Sequence, residues 1–507
     1  MHNPQKYLIK LMPMNKTLEY YEGESLQDIL FVEGVEFPCG GRGKCKGCRV
    51  KVTEGNIPAT DIEAQTLSPK ELEEGWRLSC KVKISDDVTL ELAQWEAKIL
   101  TDDTQFAFIS KKGLGIAVDL GTTTLVAQLL DLQTGNVLAV KSALNPQARH
   151  GADLISRIDF SVTQGKQKIL QELIHKEIGI LIVEVLNDAK QDADNLVETV
   201  IVGNTVMHNL FCGIDLTPMS VYPFEPINDS LVVMTAEELG WTFASQSKVL
   251  FLPCLGTFVG SDILAGVLAT EIYLKDKINV LIDLGTNGEM VAGNKDRMIC
   301  ASTAAGPAFE GARISMGMRA STGAVSEVTV ENGKLNPRVI GTGAARGICG
   351  SGLVDVAAGA LELGLMNYRG KIQSGDEMPL VDNVVVTQTD IRELQLAKGA
   401  IAAGVKILLA QLGKTYDDVD KLYLAGAFGN YINRSSAERI GLIHFPPEQV
   451  TPAGNTALLG AKRALFRPEN EDGSYAMLRK KIEHLTLSSV PEFQDIYVDE
   501  MFFPQED

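Results

Sequence analysis

The first 97 residues alternate short apolar and polar runs. Residues 7–11 (YLIKL) and 17–21 (TLEYY) predict a β-hairpin, and residues 26–34 (LQDILFVEG) predict a helix that Ser25 caps. Further short strands are predicted at residues 48–52, 77–84 and 88–92. A hairpin followed by a helix, a loop and more strands predicts a small α+β domain.

A different apolar pattern follows. Residues 115–140 predict three strands separated by sharp turns, and residues 278–301 repeat this pattern. In each copy the first strand ends in Asp-Leu-Gly-Thr, which begins at Asp119 and at Asp283. Helical stretches lie between and after the copies. We therefore predict a duplicated α/β domain whose two halves face each other across a cleft.

The change of pattern sets the predicted domain limits. The first domain covers residues 1–97, and a linker without clear periodicity covers residues 98–113. The duplicated domain covers residues 114–507, with halves at about 114–278 and 279–507. The chain is therefore predicted to be a multidomain protein of the α/β and α+β classes.

The composition narrows the classes of function. The 507 residues include 47 Lys and Arg against 65 Asp and Glu, which gives a net charge of −18. So acidic a chain argues against nucleic acid and anionic lipid as ligands. No run of about 18 uncharged apolar residues predicts a membrane span, and the N-terminal residues lack the apolar segment of a secretion signal. We therefore expect a cytoplasmic protein that binds neither nucleic acid nor membranes.

Four of the eight cysteines lie within the first 80 residues, at Cys39, Cys45, Cys48 and Cys80. The first three form a C-x5-C-x2-C pattern on a glycine-rich loop, which lets the backbone wrap closely around a bound group. Three thiolates on one loop and a fourth from a distant strand are the ligand set of a [2Fe–2S] cluster. A zinc site is the alternative, although it usually has two C-x2-C pairs. The other cysteines lack metal-ligand spacing, and we expect ordinary buried side chains at Cys212, Cys254, Cys300 and Cys349.

The spacing of the loop cysteines resembles that of the adrenodoxin and putidaredoxin type of ferredoxin. The predicted order of strands and helix in residues 1–97 is also similar to the order in those ferredoxins. This resemblance implies a β-grasp fold and a [2Fe–2S] cluster for the first domain.

The two Asp-Leu-Gly-Thr turns carry the second chemical signal. A glycine after a strand-terminal aspartate lets consecutive backbone N–H groups face a phosphate, and threonine hydroxyls add donors. The carboxylates of Asp119 and Asp283 would repel a nucleotide unless Mg²⁺ or a polarised water lay between them. The expected phosphate cradle is Gly121, Thr122, Thr123, Thr124, Gly285, Thr286 and Asn287.

The turns enter a second strand instead of a helix, so they do not form a dinucleotide-binding fingerprint, and no P-loop motif is present. The pattern resembles the superfamily of actin, sugar kinases and heat-shock chaperone ATPases (ASKHA). Residues 198–211 and 453–465 are similar to its two connecting motifs, and residues 422–432 to its adenosine motif. The resemblance implies that ATP and Mg²⁺ bind, with Asp119 and Asp283 flanking the Mg-phosphate. Further nucleotide contacts are then expected from Asn204, Gly426, Ala427, Phe428, Gly429 and Asn430.

Other candidates rest on local signals. Gly350 and Ser351 lie at a predicted helix N-terminus, where an anion could bind, although tight helix packing explains the glycine equally well. Glu310 is a candidate catalytic residue, although its place in the first turn of a helix is explained by capping alone. Glu289 could orient a water molecule, but its pattern favours an exposed strand residue.

As a whole, the chain resembles the reductive activators of corrinoid proteins, which join these two modules. The resemblance implies an ATP-dependent transfer of one electron from the cluster to Co(II), which regenerates Co(I) for anaerobic methyl transfer and O-demethylation. It also implies an upstream electron donor and a homodimer. The chain lacks an Asp-x-His-x2-Gly cobalamin loop, so the corrinoid is expected on a partner protein. Larger members carry a middle domain, and the short linker predicts a compact version without it.

Three other functions fit the same modules. An ATP-driven activator of another low-potential enzyme would use similar chemistry, although such activators normally bridge one [4Fe–4S] cluster between two subunits. A redox-gated small-molecule kinase would use the ferredoxin as a sensor. A binding-only regulator would bind the nucleotide without turnover.

Overall fold

The computed structural model describes residues 5–505 except residues 13–15, 22–23, 25, 33–34, 36–42, 44–47, 93–105, 152, 245, 286, 312, 342–343 and 468–471. The chain forms two compact units. The first unit contains Met1–Lys98 and Pro307–Leu394, and the second contains Ile99–Gly306 and Gln395–Asp507. The domain limits given above stay a prediction.

The N-terminal segment forms a mixed sheet. Its elements are β1 (Lys6–Met12), β2 (Lys16–Tyr21), α1 (Leu26–Val32), β3 (Arg49–Glu54), α2 (Asp61–Thr66), α3 (Pro69–Glu73), β4 (Trp76–Leu78) and β5 (Val88–Leu92). The strand order is β2-β1-β5-β3-β4, with β1 parallel to β5 and the other pairs antiparallel. Ile9, Leu11 and Leu90 are fully buried, which is the alternation that predicted the strands.

The predicted hairpin and the helix after it are confirmed, and the predicted cap Ser25 lies outside the described residues. The strand predicted at residues 77–84 ends at Leu78. A turn follows the strand, in which the N–H of Lys81 donates to the carbonyl of Leu78 at 2.8 Å.

The first half of the duplicated domain is built on a six-stranded sheet. Its elements are β6 (Leu114–Leu120), β7 (Thr124–Asp131), β8 (Val137–Leu144), α4 (Leu154–Val162), α5 (Gln167–Asp188), β9 (Leu196–Gly203), α6 (Thr205–Cys212), β10 (Val232–Thr235), β11 (Lys248–Phe251) and α7 (Ser261–Thr270). The strand order is β10-β11-β9-β6-β7-β8. β6, β7 and β8 form an antiparallel meander, while β9 is parallel to both β6 and β11.

A second sheet begins with β12 (Ile278–Leu284), β13 (Gly288–Gly293) and β14 (Met298–Thr303). The chain then contributes to the first unit β15 (Ala324–Glu331), β16 (Lys334–Val339), β17 (Gly347–Ile348), α8 (Gly350–Glu362), β18 (Glu377–Val381) and β19 (Val384–Thr387). The last elements are α9 (Gln388–Gln411), β20 (Val419–Ala425), α10 (Gly426–Tyr431), α11 (Arg434–Arg439), β21 (Val450–Gly454), α12 (Thr456–Leu465), α13 (Asp472–Arg479), β22 (Ile482–His484) and α14 (Phe493–Met501). In the part of the chain that the structure describes, none of these helices has the length and apolar character to cross a membrane.

The two sheets share one topology. The second has the order β21-β20-β12-β13-β14-β22, so its first five strands correspond to β11-β9-β6-β7-β8 of the first. In both sheets the Asp-Leu-Gly-Thr turn joins the first two strands of the meander. The predicted duplication is therefore confirmed.

Helices α7 and α12 join the two halves, because each helix follows the sheet of one half and packs on the sheet of the other. α7 follows the first sheet and packs on β12 and β13, while α12 follows β21 and packs on β6 and β9. The two helices cross at small residues, since a Cβ atom on Gly460 would collide with the carbonyl of Ala265. We expected a connecting motif in residues 198–211. The helix of that segment, α6, instead packs in the core of the first half, and α7 is the helix that meets α12.

The substitution Gly460→Ala tests this crossing. In an open helix interior, alanine is more favourable than glycine by about 1 kcal/mol. Here the added methyl group meets the backbone of Ala265, which cannot rotate away. We expect the free energy of unfolding, measured by urea denaturation, to fall by about 1–3 kcal/mol.

Gly359→Ala in α8 is the matched control. Its added methyl group meets only side-chain methyl groups of Leu335 and Val330, which can shift. It should stay within about 1 kcal/mol of the wild type. Equal destabilisation by the two substitutions would contradict a tight crossing of α7 and α12.

Candidate functional site

Cys48 and Cys80 are the predicted cluster ligands that the structure describes, and Cys39 and Cys45 lie outside the described residues. The antiparallel pairing of Arg49 with Leu78 places the two cysteines opposite each other, with their Sγ atoms 3.4 Å apart. Two thiolates bound at about 2.3 Å to one tetrahedral metal ion lie about 3.8 Å apart. The pair therefore fits two ligands of a single iron ion.

Hydrogen bonds fix the surroundings of this pair. The fully buried Glu63 accepts a 2.6 Å hydrogen bond from the N–H of Leu78, two residues before Cys80. On the cysteine loop, Gly43 has a left-handed φ of +73°, and its carbonyl accepts a 2.7 Å hydrogen bond from the hydroxyl of Thr66. Glu63 and Thr66 both belong to α2. This helix therefore positions the strand end and one point of the loop.

The remaining cysteines lie in the body of the protein. Cys254, Cys300 and Cys349 are buried and Cys212 is half-buried. Burial raises the pKa of the thiols of Cys212, Cys254 and Cys300 above the ordinary range. The expectation of ordinary buried side chains is confirmed for Cys254, Cys300 and Cys349, whereas Cys212 is only half-buried.

The first phosphate turn, residues 121–124, is a tight loop between β6 and β7. The N–H of Gly121 donates to the carbonyl of Thr124 at 3.1 Å. The pairing of Leu120 with Gly203 brings Asn204 beside the turn, where its Nδ2 donates to Thr122 Oγ1 at 3.0 Å. Asn204 also caps α6 through the N–H of Met207. The structure thus brings the predicted Asn204 and the predicted turn together.

Asp119 and Asp283 end equivalent strands of the two halves. Burial raises the pKa of Asp119 to about 6, and a 2.9 Å hydrogen bond from Asn455 Nδ2 opposes this rise. Burial raises the pKa of Asp283 to about 7, and the negative charge of Asp119 adds to the rise. The charge of Asp119 therefore acts on Asp283 across the halves, and the raised pKa values mean that both hold protons more tightly than free aspartate.

Two acidic residues join this pair: Asp262, which the sequence analysis did not name, and Glu289, which it named only as a residue that could orient a water molecule. Asp262 lies in the first turn of α7, where burial and the charge of Asp283 raise its pKa to about 7. Glu289 was expected to be exposed, but it is buried in β13, and burial with the charges of Asp262 and Asp283 raises its pKa strongly. The signal for Asp262 was an acidic residue at the start of an otherwise apolar helix.

The position of Asp262 depends on close packing at the start of α7. A Cβ atom on Gly260 would collide with the carbonyl of Gly203 and the Cα of Asn204. The hydroxyl of Ser261 bonds to both the N–H and the carbonyl of Gly203 at 3.1 Å. This packing holds the first turn of α7 against the end of β9, beside the first phosphate turn.

The segments predicted as the adenosine motif and second connecting motif meet at Asp283. The pairing of Asp283 with Ala425, and of Ala425 with Gly454, places Gly426 and Asn455 one residue beyond the row that contains Asp283. Gly426 has a φ of +81°, and a Cβ atom there would lie 2.7 Å from Asp283 Oδ1. Phe428 and Gly429 continue into α10. Thr286 and the side chains of Ala427 and Asn430 lie outside the described residues.

The second phosphate turn is shorter by one residue. The N–H of Gly285 donates to the carbonyl of Asn287 at 3.1 Å, whereas the first turn closes over four residues. A Cβ atom on Gly285 would meet little, so this glycine faces open space. Among the described residues, no three His, Cys, Asp or Glu side chains converge closely enough to bind a metal by themselves.

Glu310, Gly350 and Ser351 belong to the first unit. Glu310 is exposed at the end of a short 3-10 turn, Pro307–Glu310. A Cβ atom on Gly350 would collide with the carbonyl of Phe309, and the hydroxyl of Ser351 donates to the carbonyl of Ser326 at 2.8 Å. These contacts agree with the packing explanation. The roles of the three residues at the nucleotide stay predictions.

Comparison with known proteins gives the family. Three family models match the chain: a 2Fe-2S iron-sulfur cluster binding domain over residues 9–85, the RACo middle region over residues 114–275, and the C-terminal ASKHA domain of RACo over residues 277–507. The corrinoid activation enzyme RamQ of Eubacterium limosum is 35% identical over 421 residues, which cover 77% of this chain and 70% of RamQ. The chain belongs to the RACo family of corrinoid activators.

Two further RACo-type relatives agree with this placement. The [Co(II) methylated amine-specific corrinoid protein] reductase of Methanosarcina barkeri is 27% identical and covers 77% of each chain. A solved structure named reductive activator for corrinoid,iron-sulfur protein superposes with a TM-score of 0.68 and 27% identity over 99% of each chain. The match to the RACo middle region also shows that the expectation of a compact version without that region was wrong.

The carboxylates of this RACo-family site predict a pH-dependent stability. Because the folded state raises their pKa, protonation stabilises the fold at low pH, and this contribution is lost as the pH rises through about 7. Asp262→Asn removes one of the repelling charges. We expect it to raise the free energy of unfolding of the nucleotide-free protein at pH 8 by about 1–2 kcal/mol and to change it little at pH 5.

Asp276→Asn is the control for a general effect of charge. Asp276 is exposed and pairs with Lys295 at 2.6 Å, and this pairing lowers its pKa. The control should not change the slope of stability between pH 5 and pH 8, measured by urea unfolding without Mg²⁺ or nucleotide. If Asp262→Asn destabilises the protein equally at both pH values, the carboxylates do not repel each other as described.

Proposed function

We propose that this chain reduces the cobalt of a corrinoid held by a partner protein from Co(II) to Co(I), with one electron from its [2Fe–2S] cluster and with hydrolysis of ATP. The observation that carries the proposal is the 35% identity to the corrinoid activation enzyme RamQ along most of both chains, which spans the nucleotide turns described above. The products are Co(I), the oxidised cluster, ADP and phosphate.

The electron-transfer part of the proposal rests on the N-terminal domain. The match to a cluster-binding domain over residues 9–85 includes all four predicted cysteines. The 3.4 Å separation of the Cys48 and Cys80 sulfur atoms supports them as two ligands, with Cys39 and Cys45 as the other pair. The cluster, when bound, supplies one electron at a time. The chain's own residues hold it through α2 and the end of β4.

The requirement for ATP follows from the direction of the transfer. If the cobalt couple lies about 300 mV below the cluster, the transfer is uphill by about five factors of ten, or about 7 kcal/mol. ATP can drive it only if the nucleotide favours a state of the complex in which Co(II) is reduced more easily. We therefore place the coupling in the nucleotide site, whose groups come from both halves of the second unit.

The nucleotide site suits this coupling role because its cluster of negative carboxylates requires a bound cation. Asp119 and Asp262 come from the first half, and Asp283 and Glu289 from the second. Binding Mg²⁺ with the phosphates would neutralise these groups together and stabilise the arrangement in which the halves close on the ligand. We propose that Asp119 and Asp283 flank the Mg-phosphate, that residues 121–124 and 285–287 cradle the phosphates, and that residues 426–430 contact the nucleoside.

The finer parts of the proposal concern partners. The corrinoid belongs to the partner protein, and an upstream electron donor refills the cluster. We extend the proposal to a homodimer in the cytoplasm that binds neither nucleic acid nor membranes, on the family resemblance and the acidic composition.

The direct experiment mixes the protein, its cluster reduced, with a Co(II) corrinoid protein and Mg-ATP under anaerobic conditions. We expect the visible spectrum of Co(I) to appear with ATP and not without it. Asp283→Asn should slow its formation at least about 100-fold, because a carboxylate that would hold Mg²⁺ at the phosphates is lost, while the spectrum of the cluster is unchanged. Failure of every Co(II) corrinoid protein tested to give Co(I) would contradict the proposal.

Two cysteine variants separate the electron path from the fold. Cys80→Ser should lose the [2Fe–2S] spectrum and Co(I) formation but keep nucleotide binding, since Cys80 and the nucleotide site lie in different units. Cys300→Ser, in the buried β14, should keep the cluster. Appearance of a phosphorylated small molecule without Co(I) would instead support the kinase alternative.

A further inference from the structure

Three consecutive carbonyl groups of the first phosphate turn are held from one side. Asn145 Nδ2 donates to the carbonyl of Gly121 at 2.9 Å, and the backbone N–H of Asn145 donates to the carbonyl of Thr123 at 2.8 Å. Between them, Arg157 Nη2 donates to the carbonyl of Thr122 at 2.5 Å. All three carbonyls therefore point back into the first half of the second unit.

This arrangement fixes the direction of the amide hydrogens. In a trans peptide the N–H of one residue points away from the carbonyl of the residue before it. The N–H groups of Thr122 and Thr123 therefore point out of the opposite face of the turn. Among the described residues, none accepts a hydrogen bond from either N–H. Adjacent N–H groups on one face form a concave site for an anion.

Arg157 itself is a buried cation, and none of the described residues forms an ion pair with it. Its side chain is fully buried, and its other donors reach the carbonyl of Gly151 at 2.9 Å, Gln147 Oε1 at 3.1 Å and Met207 Sδ at 3.4 Å. Every one of these acceptors is uncharged. Burial lowers the pKa of Arg157 to about 9, and the negative charge of Asp153 opposes that change, so the guanidinium stays protonated at neutral pH.

Several independent contacts fix the position of the Arg157 guanidinium. Gln147 Nε2 donates to the carbonyl of Leu170 at 3.0 Å, which turns its Oε1 toward Arg157. A Cβ atom on Gly151 would lie 2.8 Å from the backbone nitrogen of Arg157 and 2.9 Å from its Cγ, so only glycine leaves room for this side chain. Desolvating a charge without a counter-charge is unfavourable. The free protein thus maintains an unfavourable buried charge directly behind the turn.

We propose that Arg157 is a positioning residue for the phosphates of the bound nucleotide, because it holds the Thr122 carbonyl and places behind the turn a positive charge that an anion in front of the turn balances. The inference rests on the proposed function, in which the nucleotide binds at this turn. A charged donor on the carbonyl polarises the peptide group, so the N–H of Thr123 becomes a stronger donor to phosphate. Arg157 acts through the peptide group and does not touch the nucleotide.

The test measures binding of Mg-ADP and of adenosine to the full-length protein by calorimetry. Arg157→Met keeps the length of the side chain and removes the charge and the donors. We expect it to weaken Mg-ADP about 10- to 100-fold and adenosine less than about threefold, because only the diphosphate uses the turn. Arg157→Lys, which keeps the charge but not the fork of donors, should recover part of the loss.

The substitution Asp153→Asn should change Mg-ADP affinity in the opposite direction, and we expect this variant to fold normally. Asp153 is exposed and caps α4 by accepting from the N–H of Ser156 at 2.7 Å, and asparagine can make the same cap. With this negative charge gone, Arg157 acts more strongly on the turn. We expect Mg-ADP to bind about twofold more tightly at low salt, with the gain lost at 1 M salt.

Arg479→Met is the control, because Arg479 is a partly buried arginine of the same unit that pairs with Asp229 at 2.6 Å. It should leave both affinities unchanged. Equal losses for Mg-ADP and adenosine in Arg157→Met would show a merely structural role, and unchanged Mg-ADP binding would also overturn the proposal. If Arg157→Met does not fold, an Asp153→Asn variant with unchanged or weaker Mg-ADP binding overturns it. A wild-type protein that binds neither ligand would refute nucleotide binding itself.

Discussion

Repulsion among four carboxylates is the constraint on which the nucleotide site depends. Asp119, Asp262, Asp283 and Glu289 act on one another at the ends of strands and at the start of a helix, and burial raises the pKa of each. Such a cluster is costly in the free protein, and the proposed binding of a cation with its phosphates would make it favourable. A site of this kind stores part of the energy that ligand binding releases.

The duplicated topology explains how these charges are brought together. Equivalent strands end in the same Asp-Leu-Gly-Thr turn, so each half supplies one aspartate and one turn to the proposed phosphate site. The exchange of α7 and α12 places each half's connecting helix on the other half's sheet, and Gly460 allows the two helices to touch. A change at the carboxylates can therefore reach both halves through one pair of packed helices. Arg157, whose hydrogen-bond acceptors are uncharged, places a positive charge behind the first of the two turns.

Much of this could be predicted from the sequence, since the repeated turn, the strand patterns and the cysteine spacing are local signals. The confirmed duplication and the sulfur pair at Cys48 and Cys80 show this. Asp262, the burial of Glu289 and the contact of Asn455 with Asp119 were missed because they depend on pairing between segments far apart in the chain. The first connecting helix was misplaced for the same reason, as α6 and α7 both follow buried strands and only packing separates them.

The most direct test of the carboxylate account is the number of protons released when Mg-ADP binds near pH 6.5. It is obtained by calorimetry in two buffers of different ionisation enthalpy. Because the raised pKa values leave the carboxylates partly protonated in the free protein, neutralisation by Mg²⁺ should release about one proton per site, and Asp283→Asn should reduce this number. Binding without proton release, or with proton uptake, would contradict the account.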